Sequence, residues 1–203
     1  MTHTTLFSIR FLSSLEKVFP DEPLEASVLS KASMLQNEVF HFQAAYRLEN
    51  ARAMGVQVTV ESPLAQWISV RRVDCVPVDL AAYPDADGNI LREGKPGLYP
   101  DLLRPIGKFG LALYPNQWRC LWLTVEPEKD SPLKPGDYPI TLSYYNEEQE
   151  LLGRAVFWLS VLPAALPPQE LIYTNWFYCD CLATWYHAEA FSERHWALIE
   201  SYL

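Results

Sequence analysis

The side chains best suited to chemistry gather near the end of the chain, where Asp180 sits among Trp176, Trp185 and Tyr186. A carboxylate accepts hydrogen bonds from hydroxyl groups, and a large ring covers an apolar face at small entropic cost, so this set suits carbohydrate recognition. A carboxylate beside so much apolar surface needs a partner or a function. The competing reading of the three rings is packed core. Cys179, Cys181, His187 and His195 are the donor types of a zinc site, but the spacing C-x-C-x5-H-x7-H fits no ordinary structural zinc pattern. Packed, reduced thiols and no metal are expected there. His195, close to a helix start, is expected to pack or cap rather than catalyse, and His41 to lie on a solvated strand face.

Two other acidic features carry less. Asp85-Ala86-Asp87-Gly88-Asn89 suggests calcium, yet counting from Asp85 puts Ile90 and Pro96 where an EF-hand loop needs Gly and Glu, so a tight turn is expected. The pairs Asp21-Glu22 and Glu147-Glu148 read as solvated charge. No cofactor is expected.

The elements that must position these residues follow from composition and pattern. The chain has 203 residues and a formal charge of −9, with 49% hydrophobic residues, which is the composition of a globular protein. An acidic balance with no basic run argues against nucleic acid or an anionic membrane surface as partner. Residues 1–20 have neither a basic stretch nor an apolar stretch of signal-peptide type, and no window approaches the roughly 20 apolar residues of a membrane span, so a cytoplasmic protein is expected.

Apolar and polar residues alternate with period 2 from residue 5 to residue 161, most clearly at 38–49, where Phe40, Phe42, Ala44, Tyr46 and Leu48 share a face and His41, Gln43 and Arg47 take the other. Similar runs at 5–12, 56–60, 68–78, 118–125, 138–145 and 151–161 predict a mainly β, antiparallel β-sandwich. Pro135-Gly136-Asp137-Tyr138 is a turn that launches a strand. Residues 79–116 form a connection far longer than usual, with Pro-broken patterning. Three prolines within 162–168 make a stiff connector. The expected organisation is therefore a sandwich at 1–162, a connector at 163–170 and a separate segment at 171–203. In that segment 171–177 reads as a strand, and Ser192 as the N-cap of a helix through Leu203, with Trp196, Ile199 and Leu203 as its apolar stripe. A strand, a loop and an unfinished amphipathic helix bury no core of their own, which points to the front part of a longer protein, or to a tail that folds back on the sandwich.

The tail also carries a resemblance. Asn175-Trp176-Phe177, Cys179-Asp180-Cys181-Leu182-Ala183, Phe191-Ser192-Glu193 and His195-Trp196 resemble the opening of the catalytic barrel in a family of bacterial glycoside hydrolase-like domains of unknown function. That family is similar to the family 123 β-N-acetylgalactosaminidases. Upstream, Pro96-Gly97-Leu98-Tyr99-Pro100-Asp101-Leu102-Leu103 and Pro135-Gly136-Asp137-Tyr138 match the sandwich that precedes its barrel.

The resemblance implies an immunoglobulin-like sandwich joined to a (β/α)8 barrel of which the first strand and helix are present. It also implies substrate-assisted hydrolysis, in which the sugar's acetamido oxygen attacks the anomeric carbon, an Asp orients it and a Glu is the general acid. That Asp–Glu pair falls beyond Leu203 in the family's order, so no catalytic residue is carried over. Barrel sites lie at the C-terminal strand ends, which would turn Asp180, Trp176, Trp185 and Tyr186 toward a carbohydrate. The 96–104 stretch is expected to brace the sandwich against the barrel. Two functions are thus open. One is the accessory domain, itself inactive, of a hydrolase acting on N-acetylhexosamine-type glycosides, with the barrel as partner. The other is a non-catalytic carbohydrate-binding or structural sandwich. An uncovered patch of Trp176, Trp185 and Trp196 would favour a homo-oligomer.

Overall fold

Alternation along 40–48 buries Phe42, Ala44, Tyr46 and Leu48 on one face of a strand, and the same logic repeated along the chain assembles two sheets over a shared core. The computed structural model describes residues 6–79, 95–128, 131–168, 170–172 and 177–202. The chain divides into two compact units, Met1–Leu166 and Pro167–Leu203.

The first unit contains β1 (Phe7–Ser13), β2 (Lys31–Met34), β3 (Phe40–Leu48), β4 (Ala53–Glu61), β5 (Ile68–Val78), β6 (Gly97–Pro105), β7 (Leu111–Leu113), β8 (Arg119–Val125), β9 (Gly136–Tyr145) and β10 (Leu151–Val161). One sheet has the order β1-β3-β8-β5-β6 and the other β2-β10-β9-β4-β7. Phe42 of the first sheet stacks on Phe157 of the second with ring centroids 4.3 Å apart, and Phe11 lies 5.4 Å from Phe157. These rings tie the sheets together, since fully burying a side chain of that size is worth about 1.5–3 kcal/mol. A one-residue slip of either strand would turn its ring outward, so the core also fixes register.

Three expectations are corrected. The sandwich is not antiparallel throughout, because β2 pairs parallel with β10, from Trp158↔Lys31 to Val161↔Met34. The long connection contains two strands, β6 on the edge of the first sheet and β7 on the edge of the second. Its prolines are tolerated there because an edge strand can leave one side without donors. The 96–104 stretch is thus chiefly a strand of the sandwich, paired with β5 from Val78↔Gly97 to Arg71↔Pro105. The Asp85–Asn89 turn falls outside the described residues. Thirdly, the outer face of β3 is solvated only in part. Gln43 and Ala45 are buried there, in a second core with Leu12, Val18, Trp118 and Cys120, against which Leu24 and Ala26 pack. Gln43 donates to the carbonyls of Ser13 and Glu16 at 2.9 and 2.8 Å and accepts from Cys120 Sγ at 3.2 Å. A buried amide with its groups satisfied in this way is a staple, not a liability. His41 is exposed, 3.0 Å from Thr124 Oγ1.

Two turns share one construction. Lys134-Pro135-Gly136-Asp137-Tyr138-Pro139 launches β9, and the Tyr138 hydroxyl donates to the Lys134 carbonyl at 2.8 Å. Lys95-Pro96-Gly97-Leu98-Tyr99-Pro100 launches β6, with Tyr99 donating to the Lys95 carbonyl at 2.7 Å. Proline sets φ at the turn, and the phenol four residues from the carbonyl closes it.

After β10 the chain is strapped down. Leu162 N–H donates to Met34 O and Gln36 N–H to Ala164 O, both at 2.9 Å. Asn37 then clasps Leu166 from both sides, donating to its carbonyl at 3.1 Å and accepting its N–H at 2.6 Å.

The second unit contains α1 (Asp180–Tyr186) and α2 (Glu193–Tyr202). Helix α1 stands where sequence reasoning expects a loop. Of the expected strand at 171–177, residues 173–176 lie outside the described residues. Ser192 caps α2 as expected, accepting the His195 N–H at 3.3 Å and, through its carbonyl, the Trp196 N–H at 2.9 Å. The buried stripe of α2 is His195 and Ile199 rather than Trp196 and Ile199, since Trp196 is 55% exposed and Leu203 is not described. No helix among the described residues is long and apolar enough to cross a membrane.

Candidate functional site

Helix α1 has only seven residues, DCLATWY, so its own propensity cannot hold it. Leu182 supplies its buried anchor. The second fastening is His195, fully buried, whose Nδ1 accepts the Phe191 N–H at 2.8 Å. That acceptor role leaves the proton on Nε2, which donates to the Cys179 carbonyl at 2.8 Å. One neutral imidazole thereby joins the entry of α1 to the entry of α2. His187 ends α1 in the left-handed conformation, φ 51°, with its N–H directed at the carbonyls of Ala183 and Thr184.

Helical spacing then sets a face. Asp180 and Thr184 are four apart, as are Cys181 and Trp185, and with Tyr178 and His187 they line an open hollow of about 730 Å³. Trp185 is 78% exposed and Tyr178 82% exposed. Cys181 Sγ donates to the Tyr178 carbonyl at 2.9 Å and Thr184 Oγ1 to the Asp180 carbonyl at 3.2 Å, so both groups brace the backbone of the hollow. Asp180 stands in the first turn of α1. Among the described residues its carboxylate has no hydrogen-bond or ion-pair partner and is available to a ligand. Two open rings, a free carboxylate and an imidazole suit a polyhydroxylated ligand with one apolar face.

The structure therefore brings Asp180 and Trp185 together. Tyr186 is not part of the hollow. Its hydroxyl lies 2.8 Å from that of Tyr202, and this hydrogen bond is the first cause that holds the Tyr202 phenol above its ordinary pKa. Trp176 lies outside the described residues. Sequence reasoning missed Tyr178, Thr184 and His187; the i, i+4 spacing from Asp180 would have supplied Thr184 once α1 was read as a helix, whereas Tyr178 precedes the helix and His187 ends it. Among the described residues no group of three or more His, Cys, Asp or Glu is arranged to hold a metal ion. His195 spends both ring nitrogens on backbone, and Cys181 its thiol on a carbonyl.

No family profile and no curated protein sequence matches the chain. Among solved structures, the fold is similar to that of a family 123 glycoside hydrolase from Clostridium perfringens, described for its hydrolysis of glycolipid glycans, with TM-score 0.69 and 14% identity. The likeness covers 97% of this chain and 35% of that one, so the chain spans about a third of the enzyme's length. A pilin subunit, CooA of enterotoxigenic Escherichia coli, aligns with 10% identity and a TM-score of 0.29 only, which is too low to indicate a shared fold. The chain thus has a glycoside hydrolase-like fold of mainly β character.

Proposed function

We propose that this chain is the N-terminal accessory part of a glycoside hydrolase acting on N-acetylhexosamine-type glycosides, inactive alone. In this reading the sandwich is immunoglobulin-like, and 171–203 is the first strand and helix of a (β/α)8 barrel. The observation that carries the reading is the fold likeness to the family 123 enzyme over 97% of this chain. Within the second unit, the wide exposure of Leu171, Ile172, Tyr178, Trp185 and Phe191 supports it, because so much apolar surface is normally covered by a partner. Asp180 and Trp185 are then residues of the substrate cleft, Asp180 accepting from sugar hydroxyls and Trp185 covering a pyranose face. Neither residue transfers a proton or attacks carbon in this scheme.

Two measurements test it. The purified chain should not turn over an aryl N-acetylhexosaminide, and any turnover lost with Asp180→Asn would overturn the accessory role. The native gene product should be much heavier than 23.3 kDa by intact mass. A product of 23.3 kDa would favour instead a non-catalytic carbohydrate-binding sandwich.

A further inference from the structure

The first unit has a cavity of its own, remote in sequence from α1. It lies on the outer face of the first sheet, where the chain after β1 crosses back over β3, β8 and β5. Its volume is about 240 Å³, and Ser14, Glu16, Lys17, Gln43, Asp101 and Trp122 are among the residues that line it. At roughly 30 Å³ per water this is space for about eight waters, the bulk of one pyranose ring.

The walls are held rather than merely adjacent. Gln43, 3% exposed, fixes the Ser13–Glu16 turn through its amide. Lys17 Nζ reaches the Pro100 carbonyl at 3.4 Å, and Phe19 meets Tyr99 edge-on with centroids 5.4 Å apart, so the crossing segment is fastened to β6. Trp122 has its indole N–H committed to His41 Nδ1 at 3.3 Å, and what it offers the cavity is apolar ring surface. Asp101 enters through a β-bulge: Asp74 pairs with Leu102 and Cys75 with Pro100, leaving Asp101 as the extra residue of β6. Bulges of this kind re-aim a side chain out of the regular pleat.

The chemistry of the lining selects the ligand. Among the described residues neither the Glu16 nor the Asp101 carboxylate has a hydrogen-bond or ion-pair partner, so both are free to accept. Two carboxylates disfavour an anion, and the Lys17 ammonium in the same lining offsets half of their pull on a cation. A neutral molecule that donates through several hydroxyls and presents a C–H face to Trp122 satisfies every group.

We infer that this cavity is a monosaccharide-binding subsite, built from Glu16, Asp101, Ser14 and Trp122 and separate from the α1 hollow. It needs no hydrolase activity in the parent protein.

The test uses the whole chain, titrated with N-acetylgalactosamine, N-acetylglucosamine, galactose and glucose while the indole N–H resonances are followed by NMR. At least one sugar should shift the Trp122 resonance saturably, with a Kd on the order of 1 mM. Asp101→Asn and Glu16→Gln, which remove charges that make no contacts within the described fold, should each weaken that binding about tenfold, the loss of one charge-assisted hydrogen bond. Trp185→Ala should leave it unchanged. The inference is overturned if no sugar shifts Trp122, if the shift survives both carboxylate substitutions, or if Trp185→Ala abolishes it.

Discussion

His195 and Trp185 sit close in sequence on neighbouring helices and have opposite duties. Replacing His195 by Ala strands the Cys179 carbonyl and the Phe191 N–H, at about 1–3 kcal/mol for each group that water does not reach. Hydrogen exchange should show loss of protection at the starts of both α1 and α2. Trp185→Ala, at a site 78% exposed, should change stability by no more than about 0.5 kcal/mol, because little burial is lost. Under the proposed function its effect falls on sugar binding in the hollow, to be read by titration with N-acetylgalactosamine. A His195 variant that unfolds no faster than wild type would remove the imidazole from its fastening role.

At the scale of elements, the weak point of the second sheet is the close approach of β10 to β1. Gly153 stands at a register shift in the β9–β10 ladder, and a Cβ added there would overlap the Phe7 ring, which itself packs 5.0 Å from Tyr144. Gly153→Ala should therefore cost about 1–3 kcal/mol by overpacking. The loss should shrink in the Gly153→Ala, Phe7→Leu double variant, and a thermal-melt double-mutant cycle with no coupling would refute the clash. Most of the strands were legible from period-2 alternation, because one face of each is core. β6 was hidden by its prolines, although the Pro-Gly-x-Tyr signal read as a strand launcher at 135–138 stands also at 96–99. Helix α1 was illegible for a physical reason: its stability comes from Leu182 and from His195, not from Cys, Thr, Trp and Tyr, which are indifferent helix formers. Gln43 looked solvent-facing since alternation cannot show a crossing segment that returns to cover the outer face. Of the candidate site, Asp180 and Trp185 were visible by residue type, while Tyr186 shows that a ring's type says nothing about whether its hydroxyl is already engaged.

For the whole molecule, the groups most displaced from ordinary titration among the described residues are in the sandwich. Tyr46, Tyr144 and Cys120 are all held far above their ordinary values, first of all by burial, which disfavours the charged form. A raised folded-state pKa means that these groups support the fold fully below the unfolded-state values, 9.0 for the thiol and 10.0 for the phenols, and lose that support as pH rises beyond them. Each group then costs up to about 1.4 kcal/mol per pH unit, so the protein should unfold steeply in alkali. A midpoint in denaturant unchanged between pH 8 and pH 11 would contradict the burial of these groups. Cys120→Ser and Tyr46→Phe should shift the alkaline limb to higher pH, provided each variant folds.

The parallel pairing of β2 with β10 and the Asn37 clasp on Leu166 give the sandwich a mechanical character. A tension drawn along the chain leaving β10 acts in line with that strand, and β10 has neighbours on both sides, β2 parallel and β9 antiparallel. The ladders are thus loaded in shear, with many hydrogen bonds sharing the force at once, instead of being opened one by one. The asparagine at the exit is the first element to feel the pull, and while it holds, strain in the proline-rich tether stops short of the aromatic core.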